Sequence, residues 1–474
     1  MEKQQLRDVI IVLPGISGSI LSRKGVDIWS PSVGCAFRMT GGAKALTLVD
    51  ESGDPTKPAD EVEATGLVPD IHVLPGLWKI DGYSTLVSAL EKTFHTVKAW
   101  PGEDKCANLI VFPYDWRRDN RINAKRLEVV ANSFLSRWRK DTFFKDAKLI
   151  LIAHSMGGLI SRHYLDVLEG WPNCRALFTF GTPFRGSLNA LDSLANGVRK
   201  LGGLINLTEA LRSMTAVYQL LPRYECVLHQ NAYHRICEIA SLPNIVNHRA
   251  ADALDFYQRI DDAVKDRGRV LGYDIFPYAG IHQTTRQSAE AGTESVRILE
   301  INPPKIPAAY EEGDGTVPLV SAIPAELSEK AEFVTYVNER HAALQANSTV
   351  LDDLMRRLIA IEVPGLKAVL GGVTTETTLA LKLDVRDVYE KKEQVVIRVS
   401  IKDAPSDAEV TLSLENAQTQ RASQVPLTNV NGGWQAAEAD LDPGSYRVEA
   451  SARSKTGTAT VHDVFVVAEK RDAL

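Results

Sequence analysis

Short apolar runs alternate with longer amphipathic stretches over the first three quarters of the chain. The apolar runs predict buried strands at residues 8–13, 107–112, 147–153, 176–180, 296–301 and 332–337. The amphipathic stretches carry apolar residues at helical spacing. They predict helices at residues 84–94, 122–138, 157–168 and 341–361. Such alternation is typical of an α/β architecture, with a mostly parallel sheet and helices on both faces.

Two long segments interrupt this alternation. Residues 29–80 are rich in Gly, Pro and Asp, and residues 189–269 have a largely helical, partly amphipathic pattern. Neither segment looks like a sheet element. We expect both to act as a lid or cap over a functional site.

The pattern switches to period two after Pro364 and Gly365, with turn residues clustered between short alternating runs. Several such strands in about a hundred residues predict an all-β, immunoglobulin-like sandwich. We therefore expect two domains, at residues 1–365 and 375–474. The second contains no catalytic cluster, so its expected role is structural or adhesive, and we expect the first to work without it.

Composition narrows the classes of function. The chain has 474 residues, 44% hydrophobic and 24% charged, with a net charge of −6. Without a basic run, nucleic acid is not an expected partner. No apolar stretch is long enough to span a bilayer, and the N-terminus lacks a signal-peptide pattern. Five scattered cysteines in no metal-like spacing are read as reduced thiols, which together with these absences predicts a cytoplasmic protein.

The pattern around Ser155 carries the chemistry. An apolar run ends at this serine, Met156 and two glycines follow, and a helical pattern begins at once. This is the G-x-S-x-G nucleophile elbow, with Ala153 in place of the first glycine. Small neighbours permit the strained turn, and the helix N-terminus directs its N–H groups at the site. The pattern predicts a nucleophile; the alternative is a serine that only caps the helix.

A serine nucleophile needs a base, and the base needs an orienting carboxylate. On α/β-hydrolase folds these follow in the order Ser, Asp or Glu, His. Asp314 stands between two glycines after the predicted strand 296–301, and His341 follows the predicted strand 332–337. We expect Ser155, Asp314 and His341 to form a catalytic triad. The alternatives are a turn residue for Asp314 and a helix N-terminal residue for His341.

Two backbone N–H groups are needed to stabilise the oxyanion. Met156, directly after the nucleophile, should supply one, and Ile16 in the small-residue loop after the first strand should supply the other. The alternative for this loop is a phosphate-binding loop, but it lacks the lysine of such loops. His154 is rejected as the base because adjacent residues at such a turn point apart, which places its ring beneath the elbow.

Six motifs occur in order between residues 8 and 362. They are Leu13–Ser19 (LPGISGS), residues 108–117 (NLIVFPYDWR), 153–158 (AHSMGG), 181–187 (GTPFRGS), 313–318 (GDGTVP) and His341. In these motifs the chain resembles the lecithin:cholesterol acyltransferase-like α/β-hydrolases, which include phospholipid:diacylglycerol acyltransferases and lysosomal-type phospholipase A. The resemblance implies the same triad, an oxyanion residue at Ile16, and a buried structural role for Tyr114 to Arg117. The C-terminal sandwich lies outside the family pattern.

These features predict a serine-dependent lipid acyl-ester hydrolase or O-acyltransferase that works through an acyl-enzyme on Ser155, with no metal and no cofactor. The insertions are long enough to build an apolar acyl pocket, so the expected partner is a lipid or other acyl ester, and peripheral membrane contact through the lid is left open. Two other classes stay open. One is a non-catalytic binding or adhesion protein on a hydrolase scaffold, and the other is an amidase or peptidase on the same fold.

Overall fold

The structure is a computed structural model. It describes residues 2–30, 43–51, 53–55, 57–74, 78–200, 205–268, 270–328, 333–362, 379–430, 432–438 and 440–469. The expected domain boundary near Gly365 lies outside these residues. So do Cys35, one of the five cysteines, and Glu332, the first residue of a predicted strand.

An α/β part occupies the described residues up to 362. Its strands, in chain order, are β1 (Val9–Leu13), β2 (Ser19–Arg23), β3 (Val26–Trp29), β4 (Val62–Leu67), β5 (His72–Leu74), β6 (Trp78–Ile80), β7 (Lys98–Ala99), β8 (Leu109–Val111), β9 (Leu149–His154), β10 (Cys174–Phe180), β11 (Arg199–Lys200), β12 (Ile205–Asn206), β13 (Val227–His229), β14 (Ala232–His234), β15 (Asp274–Gly280), β16 (Ser288–Ala291), β17 (Val296–Leu299) and β18 (Thr335–Val337). Its helices are α1 (Ser84–Thr93), α2 (Asn120–Asp141), α3 (Met156–Arg162), α4 (Leu188–Ala195), α5 (Thr208–Ser213), α6 (Thr215–Tyr218), α7 (Asn247–Asp266), α8 (Leu319–Ala322) and α9 (Ser348–Glu362).

A seven-stranded sheet in the order β18-β15-β10-β9-β1-β8-β7 forms the centre of this part. All its strand pairs are parallel. Alternate side chains of β1 enter two different cores: Val9 and Ile11 pack on the face covered by α2, α3 and α7, and Ile10 and Val12 on the face covered by α1 and α9. Burial on both faces explains why these strands read as continuous apolar runs rather than as alternating ones. The predicted α/β-hydrolase architecture is confirmed.

Three predictions about individual elements were wrong. The strand predicted at 296–301 is β17, which belongs to a separate sheet ordered β14-β13-β16-β17, and the central sheet instead contains β15. The helix predicted from His341 begins at Ser348, because a turn occupies the intervening residues. Both insertions contribute to small sheets, through β4, β5 and β6 in the first and β11, β12, β13 and β14 in the second. Antiparallel hairpins on a cap can pair among themselves, so they need no place in the central sheet.

The C-terminal part is all-β, as predicted. Its strands are β19 (Ala380–Asp384), β20 (Val388–Glu390), β21 (Val395–Lys402), β22 (Glu409–Asn416), β23 (Arg421–Gln424), β24 (Thr428–Val430), β25 (Gly433–Glu438), β26 (Gly444–Ser454) and β27 (Gly457–Ala468). They form a four-stranded sheet, β19-β21-β25-β24, and a five-stranded sheet, β20-β27-β26-β22-β23. Apolar side chains from both sheets share one core. The alternating pattern of β21 and β26 follows from having one face buried.

Candidate active site

The turn between β9 and α3 holds Ser155 in a strained conformation. Its φ is 52° and its ψ is −124°, a backbone region that residues with side chains rarely adopt. A Cβ on Gly157 would lie 2.5 Å from the carbonyl oxygen of Pro14, and one on Gly158 would lie 2.0 Å from Oγ1 of Thr182. The two glycines after the serine are therefore required by the close approach of neighbouring chain segments. This is the sharp turn that the sequence pattern predicts.

The structure brings Ser155, His341 and Asp314 together in one hydrogen-bonded row. The Oγ of Ser155 lies 3.0 Å from Nε2 of His341, and Nδ1 of the same ring lies 2.7 Å from Oδ2 of Asp314. All three residues are buried, with 2% exposure or less. A serine, an imidazole and a carboxylate in this order can transfer the serine proton to the ring and stabilise the resulting imidazolium.

The loop between β17 and α8 (the acid loop) holds Asp314, and the loop after β18 (the base loop) holds His341. Backbone N–H groups of Thr316 and Val317 donate to Oδ1 of Asp314, over 2.9 and 2.6 Å, which leaves Oδ2 for the imidazole. The backbone N–H of His341 donates to the carbonyl of Asp314 over 2.9 Å. Gly181 has a φ of 56°, and a Cβ there would meet both Nδ1 of His341 and Oδ2 of Asp314 within 3 Å. The two loops are thus tied to each other as well as to the site.

The two residues expected to supply oxyanion N–H groups lie on chain segments next to the serine. Met156 begins α3 directly after it. Ile16 lies in the loop after β1, and a Cβ on the preceding Gly15 would be 2.8 Å from Cβ of Ser155. Both side chains are fully buried. The backbone of the β1 loop therefore passes directly beside the nucleophile, as its small residues predict.

His154 lies beneath the elbow, where the sequence argument expects it. Its Nδ1 is 2.9 Å from the hydroxyl of Tyr83, and its Nε2 is 3.2 Å from the backbone carbonyl of His341. The carbonyl of His341 can only accept, so Nε2 carries the proton of a neutral ring and Nδ1 accepts from the Tyr83 hydroxyl. The Tyr83 oxygen in turn accepts from the N–H of Gly15. Burial, followed by the nearby ring of His341, lowers the pKa of His154 well below its usual value. A neutral His154 therefore links the loop of His341, through Tyr83, to the loop that contains Gly15 and Ile16 (the oxyanion loop).

Trp78, on β6 of the first insertion, covers the base. Its indole N–H donates to Nε2 of His341 over 2.9 Å, to the same nitrogen that Ser155 reaches. Its side chain is only 2% exposed. Sequence reasoning assigned no role to Trp78 or Tyr83, because their functional contacts depend on how the insertion folds and no local pattern marks them.

The segment Tyr114 to Arg117 is a buried support for the oxyanion loop. The hydroxyl of Tyr114 donates to the carbonyl of Pro14 over 2.7 Å, and the indole of Trp116 donates to the carbonyl of Ser19 over 3.1 Å. Arg117 makes a two-point ion pair with Asp115, at 2.9 and 2.7 Å. The contacts of Tyr114 and Trp116 hold the two ends of the loop that contains Ile16.

Two features are absent from the described residues. These residues contain no group of three or more His, Cys, Asp or Glu side chains that could hold a metal ion. Among them, no helix combines the length and apolar composition needed to cross a bilayer.

Comparisons with known proteins find one family model that matches part of this chain. Residues 78–270 match the sequence profile described as lecithin:cholesterol acyltransferase. No curated protein matches the chain significantly. Similar solved structures include a Bacillus licheniformis lipase, BlEst2, in its propeptide form (12% identity, 96% of this chain and 93% of that chain, TM-score 0.34) and in its mature form (12%, 75% and 94%, 0.35). The M1 domain from titin matches 17% of this chain and 84% of its own length, at 19% identity and a TM-score of 0.14. At such TM-scores these overlays carry no argument about function.

Proposed function

We propose that this α/β-hydrolase, whose residues 78–270 belong to the lecithin:cholesterol acyltransferase family, is a serine-dependent lipid acyl-ester hydrolase or O-acyltransferase. The family match supports lipid ester hydrolysis or acyl transfer in general. The particular use of Ser155 rests on one observation: the buried row from Ser155 through His341 to Asp314, at 3.0 and 2.7 Å.

In the proposed reaction His341 takes the proton of Ser155 through Nε2 as Oγ attacks the ester carbonyl. Asp314 accepts from Nδ1–H and stabilises the imidazolium. The N–H groups of Met156 and Ile16 receive the negative charge of the tetrahedral intermediate. His341 then gives its proton to the leaving alcohol, and an acyl-enzyme on Ser155 remains.

The acyl group leaves when water or a lipid hydroxyl attacks the acyl-enzyme, with His341 again acting as base. Because Ser155 and His341 are buried and the indole of Trp78 contacts the base, substrate entry requires Trp78 to move. Whether water or a lipid hydroxyl takes the acyl group depends on which of the two can enter the opened site. The two outcomes give different products, a free fatty acid or a new ester.

The test compares the wild-type chain with Ser155→Ala. A fluorophosphonate probe, which phosphonylates activated serines with loss of fluoride, should label the wild type and not the variant. Ser161→Ala is a matched control, since Ser161 is a buried serine on the same helix that donates to the carbonyl of Gly157. The control should label normally. Labelling of Ser155→Ala at the wild-type rate would refute the assignment.

Substrate assays separate the remaining alternatives. Acyl esters and matched amides should be offered in parallel, and phospholipid should be offered with and without a lipid alcohol. Ester turnover that depends on Ser155 supports the proposal, and preference for the amide would favour a peptidase or amidase. A folded wild-type chain that neither labels nor turns over any ester would favour a binding protein.

A further inference from the structure

The C-terminal sandwich contacts the loop that carries His341 on both sides of that residue. Glu339, two residues before it, is fully buried and accepts from the backbone N–H of His462 and from its Nδ1, both at 2.7 Å. Ala342, directly after it, belongs to an apolar cluster with Val464 and other sandwich residues. Few contacts normally cross a domain boundary, and here they fall on the neighbours of the catalytic base.

Arg340 is a second contact of this loop. Its Nε lies 2.8 Å from Oδ2 of Asp463, a carboxylate whose side chain is fully buried. It also donates to the carbonyl of Leu383 on β19. A Cβ on Gly315 would lie 2.8 Å from the Arg340 guanidinium, so this side chain also passes against the loop of Asp314. One arginine therefore touches the acid loop, the base loop and the sandwich.

The acid loop has its own contacts with the sandwich. Gln283 forms backbone hydrogen bonds with Gly313, at 3.0 and 3.2 Å. Its side chain donates to the carbonyl of Leu381 over 2.9 Å and accepts from the N–H of Leu383 over 3.2 Å, so it binds along the β19 backbone. Lys382 forms an ion pair with Glu312, and His282, followed by Lys382, holds the pKa of Glu312 down at about 2.

The pair of His462 with Glu339 is an ion pair at neutral pH. Burial alone would lower the pKa of His462, but the carboxylates of Glu339 and Glu449 raise it to about 10. Glu339 also accepts from the backbone N–H of Arg340 and from Asn347, at 2.8 Å each. The carboxylate thus anchors both the start and the end of the turn that contains His341, and His462 holds the carboxylate.

From these contacts we propose that the C-terminal sandwich positions the catalytic histidine. His462 acts through Glu339 and Asp463 acts through Arg340, so full activity requires the docked sandwich. The proposal rests on the triad function proposed above. It replaces the expectation that the first domain works alone. That expectation rested on where the catalytic residues lie along the chain, which does not show which contacts hold their loops in place.

The test uses full-length variants and a water-soluble ester, p-nitrophenyl butyrate. His462→Ala should lower kcat by about tenfold or more and change KM less than twofold, because displacing a catalytic group by about 1 Å can cost about 100-fold. Glu339→Gln should do the same. The double variant, with His462→Ala and Glu339→Gln, should lose no more kcat than the more impaired single variant. Both substitutions remove the same interaction, so their effects should not add. Arg398→Ala is the matched control, since it removes a cation from an exposed ion pair with Asp384 on the same domain.

Thermal melting separates positioning from general stability. His462 is one-third exposed, so we expect the variants to remain folded at the assay temperature. His462→Gln keeps a hydrogen-bond donor and should recover part of the lost kcat, and it carries the test if His462→Ala unfolds. A lowered melting midpoint with kcat within twofold of wild type, or additive losses in the double variant, would overturn the proposal. In either case labelling of wild-type Ser155 would leave the proposed function standing, whereas a wild type that neither labels nor turns over would remove both.

Discussion

Replacing Trp78 with phenylalanine should speed the reaction of Ser155. When Nδ1 of His341 carries the proton shared with Asp314, Nε2 has one lone pair to offer. The indole N–H of Trp78 and the hydroxyl of Ser155 both reach that nitrogen, at 2.9 and 3.0 Å. Phenylalanine keeps an aromatic ring over the histidine but removes the competing donor.

The size of the effect follows from the net value of one hydrogen bond. Such a bond contributes about 0.5–1.5 kcal/mol, and about 1.4 kcal/mol corresponds to a factor of ten in rate. We therefore expect the second-order rate of fluorophosphonate labelling to rise by about 2- to 12-fold. Because Trp78 is buried, the smaller ring should also cost about 1–2 kcal/mol of stability.

The assay is the time course of labelling under conditions where both proteins are folded. Trp138→Phe is a matched control, since Trp138 is also buried and its indole donates to the carbonyl of Arg7 over 2.7 Å, on another part of the chain. This control should lose stability and label at the wild-type rate. If Trp78→Phe labels more slowly than wild type while folded, the indole supports the histidine instead of competing with the serine, and the reasoning is wrong.

Three further predictions use other assays. Ser155→Ala should retain the wild-type melting midpoint and lose roughly 10⁴-fold or more in kcat on an ester. Asp314→Asn should lose nearly as much activity, by favouring the wrong imidazole tautomer. Asp115→Asn should instead cost about 3–5 kcal/mol of stability, because the buried Arg117 would lose its hydrogen-bonded carboxylate and keep only Asp60, at 3.9 Å. If melts show Asp314→Asn unfolded and turnover shows Asp115→Asn folded but inactive, the two assignments are reversed. Because the pKa of His462 is raised from its ordinary 6.5 to about 10, its stabilising contribution is complete below pH 6.5 and is lost as the pH rises through 10. The melting midpoint should accordingly fall less between pH 7 and 10 in His462→Gln than in wild type, and equal falls would contradict this.

The elbow could be predicted from sequence because its determinants are local. The strand before Ser155, the small residues around it and the helix after it lie within about twenty positions, and the strained φ of 52° follows from them. The order of Asp314 and His341 after the serine is likewise a property of the chain. The structure brings these three residues within hydrogen-bond distance of one another, and their catalytic roles stay a prediction.

The strand before the acid loop could not be assigned from periodicity alone. Val296–Leu299 is an apolar run at the right distance from Asp314, but it pairs in an antiparallel cap sheet. The central strand is Asp274–Gly280, which contains Pro277 and ends in glycine, both unfavourable signals for a strand interior. Gly280 is needed because a Cβ there would lie 2.4 Å from Cβ of Asp314. The requirements of the site outweigh the local preference.

The role of the sandwich is the least local property of the chain. His462 and Glu339 are 123 residues apart, and the local sequence around either residue does not indicate that the two are in contact. One signal was present, however: Asp463 stands in the otherwise apolar second half of β27, and a carboxylate buried there needs a cationic partner. Sequence could have shown that such a partner exists. Only the fold shows that the partners are Lys79 and Arg340, and that Arg340 stands next to the proposed catalytic base. This makes the sandwich a candidate part of the active site.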